Sequence, residues 1–477
     1  MSTAKYTYLN IIGSIIPIVL SLITIPFYLN LIGAERYGVL AIVWIFLGYF
    51  GLFDFGLGRA TAKIIAEISK QSQKRLRSVL STALVLNLGM GIAGSLLLFF
   101  TAGFVFETML KTQSSTIQEL RASIPLLALC LPIITVTGVL NGALMGLEKF
   151  FQLNVISVIS ASLTQLLPII AAVLFSPTLP ILLGAVLTAR FITLFVLLFK
   201  CLQIIGLDKS SLYSRELAAD LFNFGKWIAL SSLISPLMSS LDRFLIGGLF
   251  GIKEVTFYTI PYQLAERTSI LANGISSAIL PKIAYMSKSE AQKTTQSALN
   301  ALTGFLTPMM IVAILFVDWF FSVWISEEFS ITSALVAKIL LFGFWFNALA
   351  RMPVVFLQGR GRPNIIALCH LAEIIPYLIL LYLGLTFYGL MGAAAVFFLR
   401  VFIDFLILTW LCGFFKSVLS VVIFPASLLA LTVFVSVTNI GAGISIIAGI
   451  IIFCLSVINS KKIIPKEFYT ILEKLRT

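Results

Sequence analysis

The chain has 477 residues, of which 59% are hydrophobic and 11% are charged, and its formal net charge is +13. Its mean hydropathy of +1.06 lies far above that of soluble globular domains, so the composition excludes a soluble protein. These values predict an all-α integral membrane protein that crosses the bilayer many times.

About fourteen membrane-spanning helices are predicted along the chain from its apolar runs. A helix needs about 20 apolar residues to cross the hydrocarbon layer, and the first run, 6–34, contains no charged side chain. The predicted spans lie near 8–33, 38–57, 79–105, 123–147, 153–175, 181–203, 227–250, 256–281, 298–325, 331–357, 365–387, 389–413, 417–438 and 441–458. The loops between them are too short to hold a soluble domain.

Lysine and arginine residues determine the predicted orientation, because loops rich in these residues stay in the cytoplasm. With the N-terminus inside, only Arg36, Lys111, Arg121 and Lys253 of the 33 Lys and Arg residues fall in outer loops. We therefore predict a multi-pass membrane protein with both termini in the cytoplasm. The positive net charge reflects this topology and attraction to anionic lipid headgroups, so no nucleic-acid partner is expected.

A weak internal repeat divides the first twelve spans into two groups of six. The sequence Leu-Ile-Gly ends span 1 at Gly33 and recurs at Gly247 near the end of span 7. Repeats that are six spans apart enter the membrane from the same side, as in transporters built from two parallel bundles. We expect an N-terminal lobe at 1–215, a C-terminal lobe at 216–414, and an appendage at 415–477 that contains spans 13 and 14 and a basic cytoplasmic tail.

Three segments of the chain carry a family resemblance. They are Ile25–Gly38 (IPFYLNLIGAERYG), Leu52–Arg59 (LFDFGLGR) and Leu241–Gly247 (LDRFLIG). In these segments, and along its full length, the chain resembles the Wzx-type polysaccharide or O-antigen flippases. These are exporters of lipid-linked oligosaccharides that are related to the multidrug and toxin extrusion (MATE) carriers and to lipid II flippases. The resemblance implies a two-lobed bundle around a central cavity lined by cationic side chains, with the last two helices forming a groove for a lipid tail.

Three arginines, Arg190, Arg267 and Arg400, fall near the middle of spans 6, 8 and 12. A charge at this depth costs about 2.5–3.5 kcal/mol on insertion scales, so it requires a partner or a water-filled cavity. We expect these guanidinium groups to bind a pyrophosphate, because each donates two hydrogen bonds to phosphate oxygens and stays charged. The alternative is pairing within the protein, since Asp404 lies one helical turn beyond Arg400 and Glu266 adjoins Arg267.

Two further arginines, Arg243 and Arg351, lie nearer the ends of their spans and are also candidate substrate ligands. For both residues, a gate between the lobes or snorkelling to the membrane surface is an equal alternative. We assign Lys338 a structural role.

Five ionisable residues are candidates for coupling or gating: Asp242, Glu266, His370, Glu373 and Asp404. His370 and Glu373 lie three residues apart on one face of span 11. A proton or a sodium ion is the candidate coupling ion, and no cofactor or metal is expected. The alternative for the single histidine is an interfacial position near the cytoplasmic end of its span.

Enzyme classes fit the sequence poorly. A single histidine excludes a His-Glu-x-x-His zinc site, and the sequence has no Gly-x-x-x-x-Gly-Lys-Ser/Thr phosphate loop. The resemblance implies a transporter of the plasma membrane, the inner membrane of a bacterium. We expect it to move a polyprenyl-pyrophosphate-linked oligosaccharide from the inner to the outer leaflet by alternating access. The cargo would be an O-antigen, capsule or exopolysaccharide repeat unit. Membrane lipids, a polysaccharide polymerase and chain-length proteins are the expected partners.

Two other functions stay open from the sequence. A MATE-type multidrug exporter coupled to cations would need an acidic cavity, and the first predicted span contains no acidic residue. A passive scramblase or a scaffold for a synthesis complex is compatible with the same spans.

Overall fold

The fold is all α-helical in a computed structural model of the chain, and the described residues contain no β-strand. The structure describes residues 3–50, 54, 56–68, 72–109, 111–206, 213–222, 238, 240–438 and 442–465. Ten of the described helices are long and apolar enough to cross a membrane, which confirms the predicted all-α polytopic fold. Residues 227–237 and 239 of predicted span 7, and the predicted basic tail beyond residue 465, lie outside the described residues.

The chain forms two compact units, unit 1 at Met1–Thr256 and unit 2 at Phe257–Thr477. The helices of unit 1 are α1 (Thr3–Phe50), α2 (Leu57–Ile68), α3 (Gln73–Met109), α4 (Ser114–Gly146), α5 (Phe150–Leu174), α6 (Leu179–Ile204) and α7 (Leu241–Leu249). Helix α8 (Ile252–Glu266) begins in the last residues of unit 1. The further helices of unit 2 are α9 (Ser269–Tyr285), α10 (Lys288–Trp324), α11 (Glu327–Gly359), α12 (Pro363–Leu411), α13 (Phe415–Val437) and α14 (Ala442–Ile463).

Glycine kinks divide the two longest helices, α1 and α12, at predicted span boundaries. Gly33 in α1 has φ 76° and ψ 166°, and Gly389 in α12 has φ 57° and ψ −138°. Both lie in the positive-φ region that glycine adopts without steric cost. The two segments of α12 pack closely beside the kink, where a Cβ on Gly392 would overlap the Gly384 carbonyl oxygen. Helix α1 therefore contains predicted span 1 and span 2 as far as Phe50, and α12 contains predicted span 11 and span 12 as far as Leu411.

Helix α2 is a short amphipathic helix in a region, 58–78, where hydropathy predicts a loop. Its Ile65 side chain is buried and its Lys63 side chain is exposed. It packs on α4 through glycines, since a Cβ on Gly142 would overlap the Gly58 carbonyl oxygen. Hydropathy misses α2 because twelve residues with one apolar face do not form a membrane-length apolar run.

Predicted span 8, 256–281, is divided in the structure. A turn at Arg267 and Thr268 separates α8 from α9. The Arg267 backbone N–H is shared between the carbonyl oxygens of Gln263 and Leu264, at 3.3 and 3.2 Å. A break of two residues does not alter the mean hydropathy of the run, so the sequence pattern shows one continuous span here.

The two glycines of the predicted repeat, Gly33 and Gly247, occupy different local structures. Gly247 lies inside α7, whereas Gly251 has φ 109° and separates α7 from α8. The segments that follow Gly33 and Gly251 contact each other within unit 1, because Thr256 Oγ1 donates a hydrogen bond to the Ala34 carbonyl oxygen at 2.5 Å. The repeat and the lobe boundaries stay predictions.

Candidate functional site

Four predicted site residues come together in α12, and we call His370, Glu373, Arg400 and Asp404 the α12 cluster. His370 and Glu373 lie before the kink at Gly389, and Arg400 and Asp404 lie after it. The carboxyl groups of Glu373 and Asp404 interact with each other, and His370 and Arg400 both act electrostatically on Asp404. Two carboxylates in contact repel each other unless a proton or a cation offsets their charge. The kink thus brings a carboxyl pair together with two basic groups.

Each carboxyl group of this pair keeps one oxygen without a hydrogen-bond partner. Glu373 Oε1 and Asp404 Oδ1 are buried and have no partner among the described residues. A buried polar atom without a partner costs about 1–3 kcal/mol, and most such atoms in folded proteins are completed by water or a ligand. The pair therefore presents two acceptor atoms that a proton donor or a small cation would satisfy.

Arg400 contacts two aromatic rings of α12. Its guanidinium carbon lies 4.8 Å from the ring centroid of Tyr377 and 5.5 Å from that of Phe397. A guanidinium over aromatic faces gains about 0.5–2 kcal/mol. Together with the attraction to Asp404, these contacts correspond to the internal pairing that the sequence left open for Arg400.

Arg190 lies in α6 of unit 1 in a different environment. Its Nε is buried and has no hydrogen-bond partner among the described residues. The Cys130 thiol of α4 is the ionisable group that acts on it, and a thiol is a weak acceptor. One turn further along α6, Thr193 Oγ1 donates a hydrogen bond to Ser160 Oγ of α5 at 2.9 Å. Among the mid-span arginines, Arg190 has the surroundings that best suit an anion from outside the protein.

Arg267 and Glu266 lie at the break between α8 and α9, and both side chains are exposed. In the described part of the chain no ion pair links the two residues. The guanidinium of Arg267 is therefore accessible, and the local pairing considered from the sequence is not formed.

The remaining predicted residues occupy separate elements. Asp242 and Arg243 are buried in the first turn of α7 in unit 1, where Asp242 Oδ1 accepts the Arg243 backbone N–H at 2.8 Å. Arg351 is exposed in α11 of unit 2. Lys338, which we assign a structural role, is buried and pairs with Asp318 at 2.8 Å.

Sequence reasoning missed an ion pair that joins α1, α4 and α6 in unit 1. Arg36 donates two hydrogen bonds to Glu119, at 2.6 and 2.9 Å, and Glu119 also accepts the Leu179 backbone N–H at 3.0 Å. Such a bidentate pair fixes the relative orientation of the two side chains, and its hydrogen bonds are stronger than those between neutral groups. The sequence analysis uses Arg36 only as a charge in an outer loop. The signal that could have indicated this pair is Glu119, an acidic residue in the next predicted outer loop.

Comparison with known proteins identifies the family. The family described as Polysaccharide biosynthesis protein matches residues 3–287, more than half of the chain. The chain belongs to this family. A protein of Shigella flexneri named as an O-antigen transporter is 31% identical over 412 residues, which cover 86% of this chain and 98% of the relative.

Solved structures share the fold of this polysaccharide biosynthesis protein. The lipid II flippase MurJ in an inward closed conformation has a TM-score of 0.69 at 16% identity, and the match covers 94% of this chain and 98% of that one. An inward-facing multidrug resistance MATE transporter of the MOP superfamily has a TM-score of 0.66 at 16% identity, covering 86% and 99%. At these identities the likeness shows the fold alone. The family match and the 31% identity to the protein named as an O-antigen transporter make the chain a multi-pass membrane transporter of polysaccharide biosynthesis and not an enzyme.

Proposed function

We propose that the protein moves an oligosaccharide linked to polyprenyl pyrophosphate from the cytoplasmic to the outer leaflet of the plasma membrane. Both termini would lie in the cytoplasm. The observation that supports this proposal is the 31% identity, over 98% of the relative, to the Shigella flexneri protein named as an O-antigen transporter. The cargo would be an O-antigen, capsule or exopolysaccharide repeat unit. Membrane lipids, a polysaccharide polymerase and chain-length proteins are the proposed partners.

Arginine side chains are the proposed ligands of the pyrophosphate. Arg190 comes first because its buried Nε lacks a partner among the described residues, and a phosphate oxygen is the acceptor that a guanidinium fork fits best. Arg267 comes second because its side chain is exposed at a helix break. Arg243, Arg351 and Arg400 are further candidates by their position in the spans.

The membrane potential would supply part of the driving force. Moving one charge across 100 mV is worth about 2.3 kcal/mol, and outward movement of an anion is downhill when the interior is negative. A diphosphate with about two net charges would gain on the order of 7 kcal/mol at roughly 150 mV. This proposal needs no nucleotide site and no cofactor.

The α12 cluster is the proposed coupling site for a proton or a sodium ion. Glu373 and Asp404 offer the two buried oxygens without partners, and His370 is a basic group beside them. Uptake of a cation there would change the charge of the cluster and bias one conformation over another, which is what alternating access requires. Asp242 and Glu266 are proposed to act in gating.

A second candidate function is a cation-coupled multidrug exporter of the MATE type. The buried carboxyl pair of α12 favours it, because such an exporter needs acidic groups that bind cations. The family match favours the polysaccharide substrate instead.

The deciding experiment measures lipid-linked oligosaccharide on the cytoplasmic leaflet of cells that lack the protein. The cells are complemented at matched expression with wild type, Arg190→Met or the control Lys200→Met. Lys200 lies on the same helix as Arg190, and its Nζ lies 5.9 Å from the ring centroid of Phe199. We expect the oligosaccharide to accumulate in cells without the protein. Wild type and Lys200→Met should relieve the accumulation, and Arg190→Met should not.

The two negative outcomes have different meanings. Relief by Arg190→Met would contradict the role of this arginine and leave the flippase proposal intact. Absence of accumulation in cells without the protein would contradict the flippase proposal itself and favour the multidrug exporter.

A further inference from the structure

A polar pocket of about 500 Å³ lies in unit 2 between the ends of three helices. Asp318 and Trp319 line it near the end of α10, Glu327 lines it in the first turn of α11, and Val437 lines it at the end of α13. All three helices are long and apolar enough to cross a membrane. The ends of such helices lie at the level of the lipid headgroups. The pocket is therefore positioned to meet lipid headgroups, and it shares no lining residue with the α12 cluster.

The charges of the pocket leave an excess of carboxylate. Lys338 is only 3% exposed, and its Nζ pairs with Asp318 Oδ2 at 2.8 Å and donates a hydrogen bond to the Ser436 carbonyl oxygen at 2.9 Å. The Asp318 side chain is 54% exposed, and Glu327 is exposed in the same pocket. One ammonium thus faces two carboxylates. Because the buried ammonium already has two acceptors, the open part of the pocket suits a further cation.

An apolar wall adjoins these carboxylates. Trp319 is 64% exposed and Ile331 is 79% exposed, and Val437 adds a third exposed apolar side chain. An exposed indole attracts a cation over its face and is typical of the membrane interface. Exposed aliphatic side chains on membrane-spanning helices contact lipid tails. The ligand that fits both parts has a cationic head and hydrocarbon chains.

We propose that this pocket binds the primary ammonium of an aminophospholipid, with phosphatidylethanolamine as its ligand. A primary ammonium carries three N–H donors, which Asp318 and Glu327 would accept, whereas the methylated ammonium of phosphatidylcholine carries none. The acyl chains would lie along Ile331 and Val437. The pocket therefore selects for N–H donors and not for positive charge alone.

Native mass spectrometry of the delipidated full-length protein tests this proposal. The protein is titrated with dioleoyl phosphatidylethanolamine and with dioleoyl phosphatidylcholine, which differ only in the three methyl groups of the headgroup. We expect wild type to bind the ethanolamine lipid about tenfold more tightly. The variant Asp318→Asn/Glu327→Gln should bind both lipids equally. Glu328→Gln is the matched control, because Glu328 lies in the same turn of α11 and does not line the pocket.

A separate variant keeps the test decisive if loss of the Asp318–Lys338 pair prevents folding. Glu327→Gln alone leaves that pair intact, and we expect it to reduce the preference about threefold with an unchanged melting temperature. Equal binding of both lipids by wild type would overturn the proposal. So would a full preference in the folded Glu327→Gln variant, or an equal loss in Glu328→Gln. The readout is binding and not transport, so its failure would leave the proposed flippase function untouched.

Discussion

Arg190 in unit 1 and the α12 cluster in unit 2 show two ways of keeping charge inside a membrane protein. Arg190 has a buried guanidinium N–H without a partner among the described residues. In the α12 cluster, Arg400 lies over two aromatic rings and acts on the Glu373 and Asp404 carboxyls. Removing a charge that the protein itself compensates leaves its partners uncompensated and destabilises the fold, whereas a charge without a partner is available to a ligand. Substitution of Arg400 in unit 2 should therefore lower stability, whereas substitution of Arg190 in unit 1 should lower transport.

The largest expected effect is on stability, at Arg400. We expect Arg400→Met to lower the free energy of unfolding by about 3 kcal/mol, because it leaves the carboxyls of α12 without their countercharge. Denaturant unfolding of the purified protein in detergent measures this change. Arg351→Met, on the exposed face of α11, is the control and should change stability by less than about 0.5 kcal/mol. Equal effects of both substitutions would contradict the stabilising role of Arg400.

Removal of the facing carboxyl should offset part of that loss. We expect the double variant Arg400→Met/Asp404→Asn to be more stable than the sum of the single effects by about 1–2 kcal/mol, since neutralising both partners leaves no uncompensated charge. A double-mutant cycle of unfolding free energies gives this coupling. Strict additivity would show that Arg400 and Asp404 act independently.

The expected effect at Arg190 is on transport and not on stability. Arg190→Met should reduce oligosaccharide export at least about tenfold, equivalent to about 1.4 kcal/mol. It should leave the unfolding free energy unchanged or raise it by up to about 1 kcal/mol, because it removes a buried donor that lacks a partner. Export and unfolding are measured on the same preparation. A clear loss of stability in Arg190→Met would show that Arg190 stabilises the fold, as we expect of Arg400, and would contradict the proposed difference between them.

The smallest expected effect comes from Arg190→Lys. Lysine keeps the positive charge but loses the planar fork that binds two phosphate oxygens. Export should therefore fall about threefold, between wild type and Arg190→Met. A rate equal to that of Arg190→Met would mean that the fork, and not the charge, is required.

Local signals in the sequence predicted much of the fold and part of the α12 cluster. Apolar run length located the spans, and the boundary between spans 11 and 12 coincides with the kink at Gly389. The proximity of Arg400 and Asp404 follows from helical spacing. The contact between Glu373 and Asp404 does not, because it depends on how the two segments of α12 pack.

Non-local packing also determines which of the mid-span arginines has a partner, and the sequence alone does not show it. Whether a guanidinium finds a partner depends on which helices lie against it. For Arg190 the neighbour is Cys130 on α4, a group that hydropathy and charge counts do not place beside it. For Arg400 the neighbours include Tyr377, from the other segment of its own folded helix.

The fold of α12 at Gly389 bears on how the chain is made. An isolated charge costs about 2.5–3.5 kcal/mol to place in the membrane, and the first segment carries Glu373 before Arg400 and Asp404 have been synthesised. A hairpin that leaves the translocon as one piece carries its acidic and basic groups already side by side. Insertion of the two segments as one hairpin would therefore cost less free energy than insertion of the first segment alone.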